Sequence, residues 1–194
     1  MHWVNAAAMI IMITSGWGIY DDFVIIPGFH FPYAVRLGAW AAPSLLWHFA
    51  GMWLLVLNGV AYITYGLATR RLRERLLPIR ASALMQTIRD SLRLRGRHED
   101  LTVYNDVQKL LYIVVLLAAL WQVVTGLLIW KPVQFSRGVS ALGGFQAVRI
   151  EHFAGMCAIV AFLIVHVALS LAVPRSLWAM IAGGPRLART QVVK

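Results

Sequence analysis

His48-Phe49-Ala50-Gly51-Met52 occurs twice in this chain: the same five residues return as His152-Phe153-Ala154-Gly155-Met156. Each copy lies near the start of a long apolar run, 45–68 for the first and 150–173 for the second. An ionisable side chain inside a membrane span is costly, and such residues are rare and functional where they occur. Two identical histidines at matching positions therefore indicate two helices that present matched ligands to one object.

Composition sets the setting in which that object must sit. The chain has 194 residues, of which 60% are hydrophobic and 13% charged, with a mean hydropathy of +0.69. This is too apolar for an ordinary soluble domain and fits a small integral membrane protein of a few helices. The formal net charge of +10 would suit a nucleic-acid partner, but the basic residues cluster between apolar runs, as membrane topology requires, and nucleic acid is excluded. A single cysteine, Cys157, allows neither a disulfide nor a Cys-x-x-Cys-His attachment motif, so any prosthetic group would be held without thioether bonds. No secretory signal with a cleavage site is evident, and the first apolar run is read as a retained helix.

Four apolar runs approach or exceed the roughly 20 helical residues that a bilayer core takes: 2–20, 45–68, 108–130 and 150–173. Unbroken runs of this length satisfy their backbone in lipid as helices. The expected architecture is an all-α, four-helix transmembrane bundle forming one domain over 1–194, with both termini on the same side. The segment 69–107, between the second and third spans, holds nine arginines, and the C-terminal tail adds Arg175, Arg186, Arg189 and Lys194. The opposite side holds Arg36, Lys131, Arg137 and Arg149, with Lys109 at a boundary. The positive-inside rule then places the termini and the arginine-rich loop in the cytoplasm.

The loops carry their own signals. The external segment 21–43 begins at the Asp21-Asp22 pair, contains Pro27, Gly28, Pro32 and Gly38, and is long enough to cap the bundle or form a docking surface. The arginine-rich segment is broken at Pro78. Beyond it, Leu84, Ile88 and Leu92 recur opposite Arg89 and Arg93, which reads either as an amphipathic helix on an anionic membrane face or as a solvated positive loop. In the tail, 176–182 reads as a short interfacial helix ended by Gly183-Gly184-Pro185.

Of the six histidines, His30 and His98 lie in loops and read as solvent-exposed. The other four lie on spans, and their depths can be worked out. The second and fourth spans both run from outside to inside, so His48 and His152 share a depth near the external face. His166 follows His152 by fourteen residues, which at the rise of an α-helix is about 21 Å deeper and, at roughly 100° per residue, within about 40° of the same face. The first span starts inside, which puts His2 at the depth of His166. The four histidines resolve into two pairs, His48 with His152 and His2 with His166. Bis-histidine ligation fills both axial positions of a heme iron and suits electron transfer rather than oxygen chemistry. Two hemes with irons roughly 20 Å apart along the helices would carry electrons across the membrane. Gly51 and Gly155 follow their histidines by three positions, and Gly16 and Gly126 lie near the external ends of the first and third spans. All four are expected to make room for a flat macrocycle, with ordinary small-residue helix packing as the alternative.

With these residues in hand, the chain resembles the four-helix di-heme cytochrome b subunits of membrane-bound bacterial oxidoreductases. These include the gamma subunit of formate dehydrogenase, the b-type cytochrome of nickel-iron hydrogenase and the cytochrome b subunit of thiosulfate reductase; bacterial cytochrome b561 is related. The resemblance rests on His2-Trp3, His48 with Gly51, Tyr104-Asn105 with Gln108-Lys109, and His152 with His166. It implies a subunit of the bacterial inner membrane and respiratory chain that anchors a catalytic partner, of molybdopterin or nickel-iron type, and exchanges electrons with quinone. It also implies a quinone site beside the cytoplasmic heme, near His166, Asn105 and Gln108. An amide pair at a helix start also serves as an N-terminal cap. One departure stands out: His2 directly follows Met1, where family members carry a further basic segment, so either the start is placed late or the inner heme is ligated from the chain terminus.

Three functions fit to different degrees. The leading expectation is a non-catalytic electron-transfer subunit joining an external partner to the quinone pool, in either direction, with the redox work done by the cofactors. The alternative is a stand-alone enzyme resembling cytochrome b561 that oxidises superoxide and reduces quinone. A heme-free anchor or assembly factor is the third.

Overall fold

A computed structural model describes residues 1–70 and 106–172, with side chains from 110 to 171 in the second stretch. Among them the chain is helical: α1 (His2–Asp22), a one-turn 3-10 helix (Tyr33–Val35), α2 (Ala41–Ala68), α3 (Asp106–Trp130), a short α4 (Ser136–Ala141) and α5 (Phe145–Ala172). The stretches His2–Asp22, Ala41–Ala68, Leu110–Trp130 and Phe145–Leu171 are each long and apolar enough to cross a membrane. Leu84, Ile88 and Leu92, the tail stretch 176–182, His98, Tyr104 and Asn105 lie outside the described residues, and Gln108 falls in the first turn of α3 with its side chain outside them.

The helices form two antiparallel hairpins, α1 with α2 and α3 with α5. Their fully buried side chains are small or polar: Ser15, Ser44, Thr125 and Val148. Large apolar residues such as Leu46, Leu57, Leu117, Ile164 and Leu171 point outward. That inversion is what lipid imposes, because apolar side chains gain nothing by leaving hydrocarbon and helices associate through close-packed small residues instead. Aromatic contacts tie the hairpins together: Tyr20 of α1 stacks on Phe153 of α5 with centroids 4.8 Å apart, and Phe49 of α2 meets Trp130 of α3 at 5.1 Å.

Three helices begin earlier than their apolar runs, α3 by two residues and α2 and α5 by four and five. α2 starts at Ala41, four residues before Leu45, because Pro43 is tolerated in a first turn, where its missing N–H costs nothing. The Ala41 N–H donates to Asp22 Oδ2 at 2.6 Å, so a side chain from α1 caps α2. α5 starts at Phe145, directly after Gly143 and Gly144, whose φ angles of 88° and 100° let the chain reverse out of α4.

The Asp21-Asp22 pair does more than mark a membrane boundary. Asp21 accepts the Phe31 N–H at 2.9 Å and Arg36 Nη1 at 2.6 Å, with His30 Nδ1 3.4 Å away. The loop then folds back on α1, where the Leu37 N–H donates to the Thr14 carbonyl at 3.1 Å and Ser44 Oγ donates to the Leu37 carbonyl at 2.9 Å. Gly38, at φ 94°, is required at this crossing: a β-carbon there would lie 2.5 Å from the Ser44 backbone nitrogen.

Candidate heme-binding site

The two hairpins present His48 and His152 to each other. Their ring centroids are 6.4 Å apart and their planes cross at 66°. A small, partly open apolar pocket of about 50 Å³ lies beside them, lined by Met9, Met12, Ile13 and Leu55 from α1 and α2 and by Ala119, Gln122, Met156 and Ile159 from α3 and α5. At the other end of the bundle His2 and His166 stand 6.2 Å apart with planes crossing at 56°.

Both separations have a simple metric meaning. A metal–imidazole nitrogen bond is about 2.0–2.1 Å and the nitrogen lies about 1.1 Å from its ring centre, so two imidazoles facing each other across one metal would have centroids ~6.2–6.4 Å apart. Among the described residues no group of three or more His, Cys, Asp and Glu side chains could hold an ion by itself. Two opposed imidazoles in an apolar cavity therefore suit a metal that brings its other ligands with it, which is what an iron porphyrin does.

The His48 and His152 rings are fixed from behind by hydroxyl groups. Ser15 Oγ lies 3.0 Å from His48 Nδ1, and Thr125 Oγ1 lies 2.9 Å from His152 Nδ1. Each hydroxyl donates to the carbonyl four residues earlier, Ser15 to Ile11 at 2.5 Å and Thr125 to Trp121 at 2.8 Å. With Nδ1 engaged, Nε2 is the nitrogen left to face a metal.

The glycines divide into two groups. Gly16 and Gly126 lie against the imidazoles: a β-carbon would sit 3.6 Å from His48 Cε1 at the first and 3.3 Å from His152 Cε1 at the second. The open faces of Gly51 and Gly155 meet the other helix of their own hairpin. A β-carbon on Gly51 would come within 2.8 Å of Ile11 Cγ2, and one on Gly155 within 2.6 Å of Gln122 Nε2. Their small size lets α1 approach α2 and α3 approach α5, and Gln122 uses the proximity to donate to the His152 carbonyl at 2.8 Å.

The first hairpin thus repeats in the second, with Ser15-Gly16 standing to His48 as Thr125-Gly126 stands to His152. The His2/His166 pair has no such twin. His166 stacks on Phe162 at 5.6 Å, and His2 meets the edge of Trp3 at 5.4 Å. The start of α1 is tied to α2 by Asn58, whose Nδ2 donates to Asn5 Oδ1 at 2.6 Å and to the Met1 carbonyl at 3.2 Å. His2 consequently sits on an anchored first turn.

The four histidines and four glycines stand out in the sequence, whereas Ser15, Thr125, Gln122 and Asn58 emerge only from the fold. The signal for the first two is the pair Ser15-Gly16 and Thr125-Gly126 at matching places in two spans. Nothing local marks Gln122 or Asn58 beyond an amide within an apolar run.

The model of the family described as prokaryotic cytochrome b561 matches residues 1–183. The chain belongs to that family. Membership brings b-type heme and membrane electron transfer with it, in agreement with the two-imidazole geometry. The chain is also 41% identical over 182 residues to a protein of Azospira oryzae named "Putative protein-methionine-sulfoxide reductase subunit YedZ1", covering 94% of this chain and 91% of that one. No solved structure matches the chain at a significant level.

Proposed function

We propose that the chain is the membrane-embedded electron-transfer subunit of a reductase complex and holds two b-type hemes. His48 and His152 ligate one near the external face, and His2 and His166 ligate the other near the cytoplasmic face, with both termini cytoplasmic in the inner membrane. The observation that carries this reading is the pair of imidazole couples, each at one-metal spacing, set about 21 Å apart along α5 by fourteen helical residues.

When bound, heme supplies reversible one-electron chemistry. The chain's own residues do the rest. Ser15 and Thr125 orient the external imidazoles, Gly16 and Gly126 leave them room, and Gly51 and Gly155 let each hairpin close. The name of the Azospira relative supports a partner that reduces methionine sulfoxide in proteins, in place of a partner of nickel-iron type. Electrons would then run from quinol at the cytoplasmic side, beside His166, Asn105 and Gln108, outward to the reductase. The loop between α1 and α2 offers that partner an apolar surface, with Phe23, Ile26, Phe29, Tyr33 and Trp40 all exposed on a frame pinned by Asp21.

The test is anaerobic addition of a short-chain quinol to the purified protein in nanodiscs, followed optically. Both hemes should be reduced, and His166→Ala should slow reduction of the remaining one severely. Reduction by superoxide with sustained turnover and no partner would favour the stand-alone oxidoreductase and overturn this reading.

A further inference from the structure

Resting on the proposed heme between His48 and His152, we infer that Ser15 and Thr125 are positioning residues that set that heme's redox potential, separately from the other heme. Both are fully buried, in a stretch of helix where a buried hydroxyl must find partners. Each has one proton, and that proton goes to the carbonyl of the preceding turn, Ile11 for Ser15 and Trp121 for Thr125. The hydroxyl oxygen can then only accept from the imidazole, so Nδ1 of His48 and of His152 carries the hydrogen and Nε2 carries the lone pair. The opposite arrangement, with the hydroxyl donating to Nδ1, would leave Nε2 protonated and unable to ligate.

The consequence is electronic as well as geometric. A hydroxyl that is itself donating is a better acceptor, because bonds in a chain polarise one another. The chain imidazole N–H to hydroxyl to carbonyl pulls positive charge away from the ring and makes Nε2 a stronger donor. A stronger donor stabilises the oxidised, more positive iron and lowers the potential. Both histidines that would hold this heme, His48 and His152, share the arrangement. At the other site the His2 and His166 imidazoles face the rings of Trp3 and Phe162, and among the described residues no side chain hydrogen-bonds either. Two sites with the same pair of ligands are thereby made different.

The experiment is an optical redox titration of the purified protein and of Ser15→Ala, Thr125→Val, Ser15→Thr and Thr125→Ser. Ser15→Ala and Thr125→Val should each raise the midpoint potential of one heme and leave the other in place, while Ser15→Thr and Thr125→Ser, which keep a hydroxyl, should restore it. Selective loss of that one heme from Ser15→Ala and Thr125→Val, with retention in the hydroxyl-keeping variants, likewise supports the role. Unmoved potentials with both hemes present, a shift shared equally by both hemes, or a shift that persists in Ser15→Thr and Thr125→Ser would each overturn it. Failure of the underlying function is read separately, from the unaltered protein: a preparation lacking the His48/His152 heme contradicts the proposed function, whatever the variants do.

Discussion

Gly16 and Gly126 occupy equivalent places, yet an alanine should be tolerated at one and felt at the other. A β-carbon at Gly16 would stand 3.6 Å from His48 Cε1, an ordinary van der Waals contact, whereas at Gly126 it would stand 3.3 Å from His152 Cε1. The His152 ring would have to yield by a few tenths of an ångström while Thr125 holds its Nδ1 at 2.9 Å. Forcing a side chain off its preferred rotamer costs about 0.5–1.5 kcal/mol, which corresponds to about 2- to 12-fold in an equilibrium constant. Gly126→Ala should therefore release heme about 2- to 12-fold more readily than the unaltered protein, and Gly16→Ala should match the unaltered protein. The assay is transfer of heme to excess apomyoglobin from detergent-solubilised protein, with total heme taken by pyridine hemochrome. Equal transfer from Gly126→Ala and the unaltered protein, or weaker retention by Gly16→Ala than by Gly126→Ala, would show that these glycines do not seat the imidazoles as described.

Other perturbations read different parts of the structure. Gly155→Ala places a β-carbon 2.6 Å from Gln122 Nε2 and breaks its bond to the His152 carbonyl, which should lower the midpoint of thermal unfolding by the equivalent of about 1 kcal/mol. Gly59→Ala, with open space around it, should leave that midpoint unchanged or raise it, since alanine is the better helix former by about 1 kcal/mol. Asp21→Asn removes the charge that holds Arg36, and limited proteolysis of sealed vesicles should then cut within 23–40 much faster than in the unaltered protein. Imidazole planes crossed at 66° and 56° should give large-g, highly anisotropic low-spin signals in electron paramagnetic resonance, whereas a rhombic spectrum of parallel ligands would contradict the ring geometry.

The helices were legible because lipid demands long apolar runs and tolerates few exceptions, so each histidine on a span stood out as a cost to be explained. The duplicated His-Phe-Ala-Gly-Met was the clearest sign, and the helical rise from His152 to His166 supplied the depth of the second pair without any tertiary information. What could not be read was which surfaces meet. Gly51 and Gly155 share a spacing from their histidines that suggests one macrocycle-facing role, yet only the crossing of α1 on α2 and of α3 on α5 shows their open faces against Ile11 and Gln122. Ser15 and Thr125 reach histidines on neighbouring helices, 33 and 27 residues away in sequence, and no local pattern specifies such a partner. The start of α2 was obscured for a similar reason: its cap comes from Asp22 of the preceding helix rather than from its own first residues. In sequence Asp21 and Asp22 mark only a boundary, and their role in fixing the loop depends on where Phe31, Arg36 and Ala41 return.

The most direct measurement is a reduced-minus-oxidised spectrum with a heme count for the purified protein, for His48→Ala and for His2→Ala. Two low-spin b-type hemes in the unaltered protein and a single heme in each variant, with different spectra and potentials, are expected if each imidazole pair holds one heme. A single heme that His2→Ala leaves untouched would contradict the second site and with it the path across the membrane.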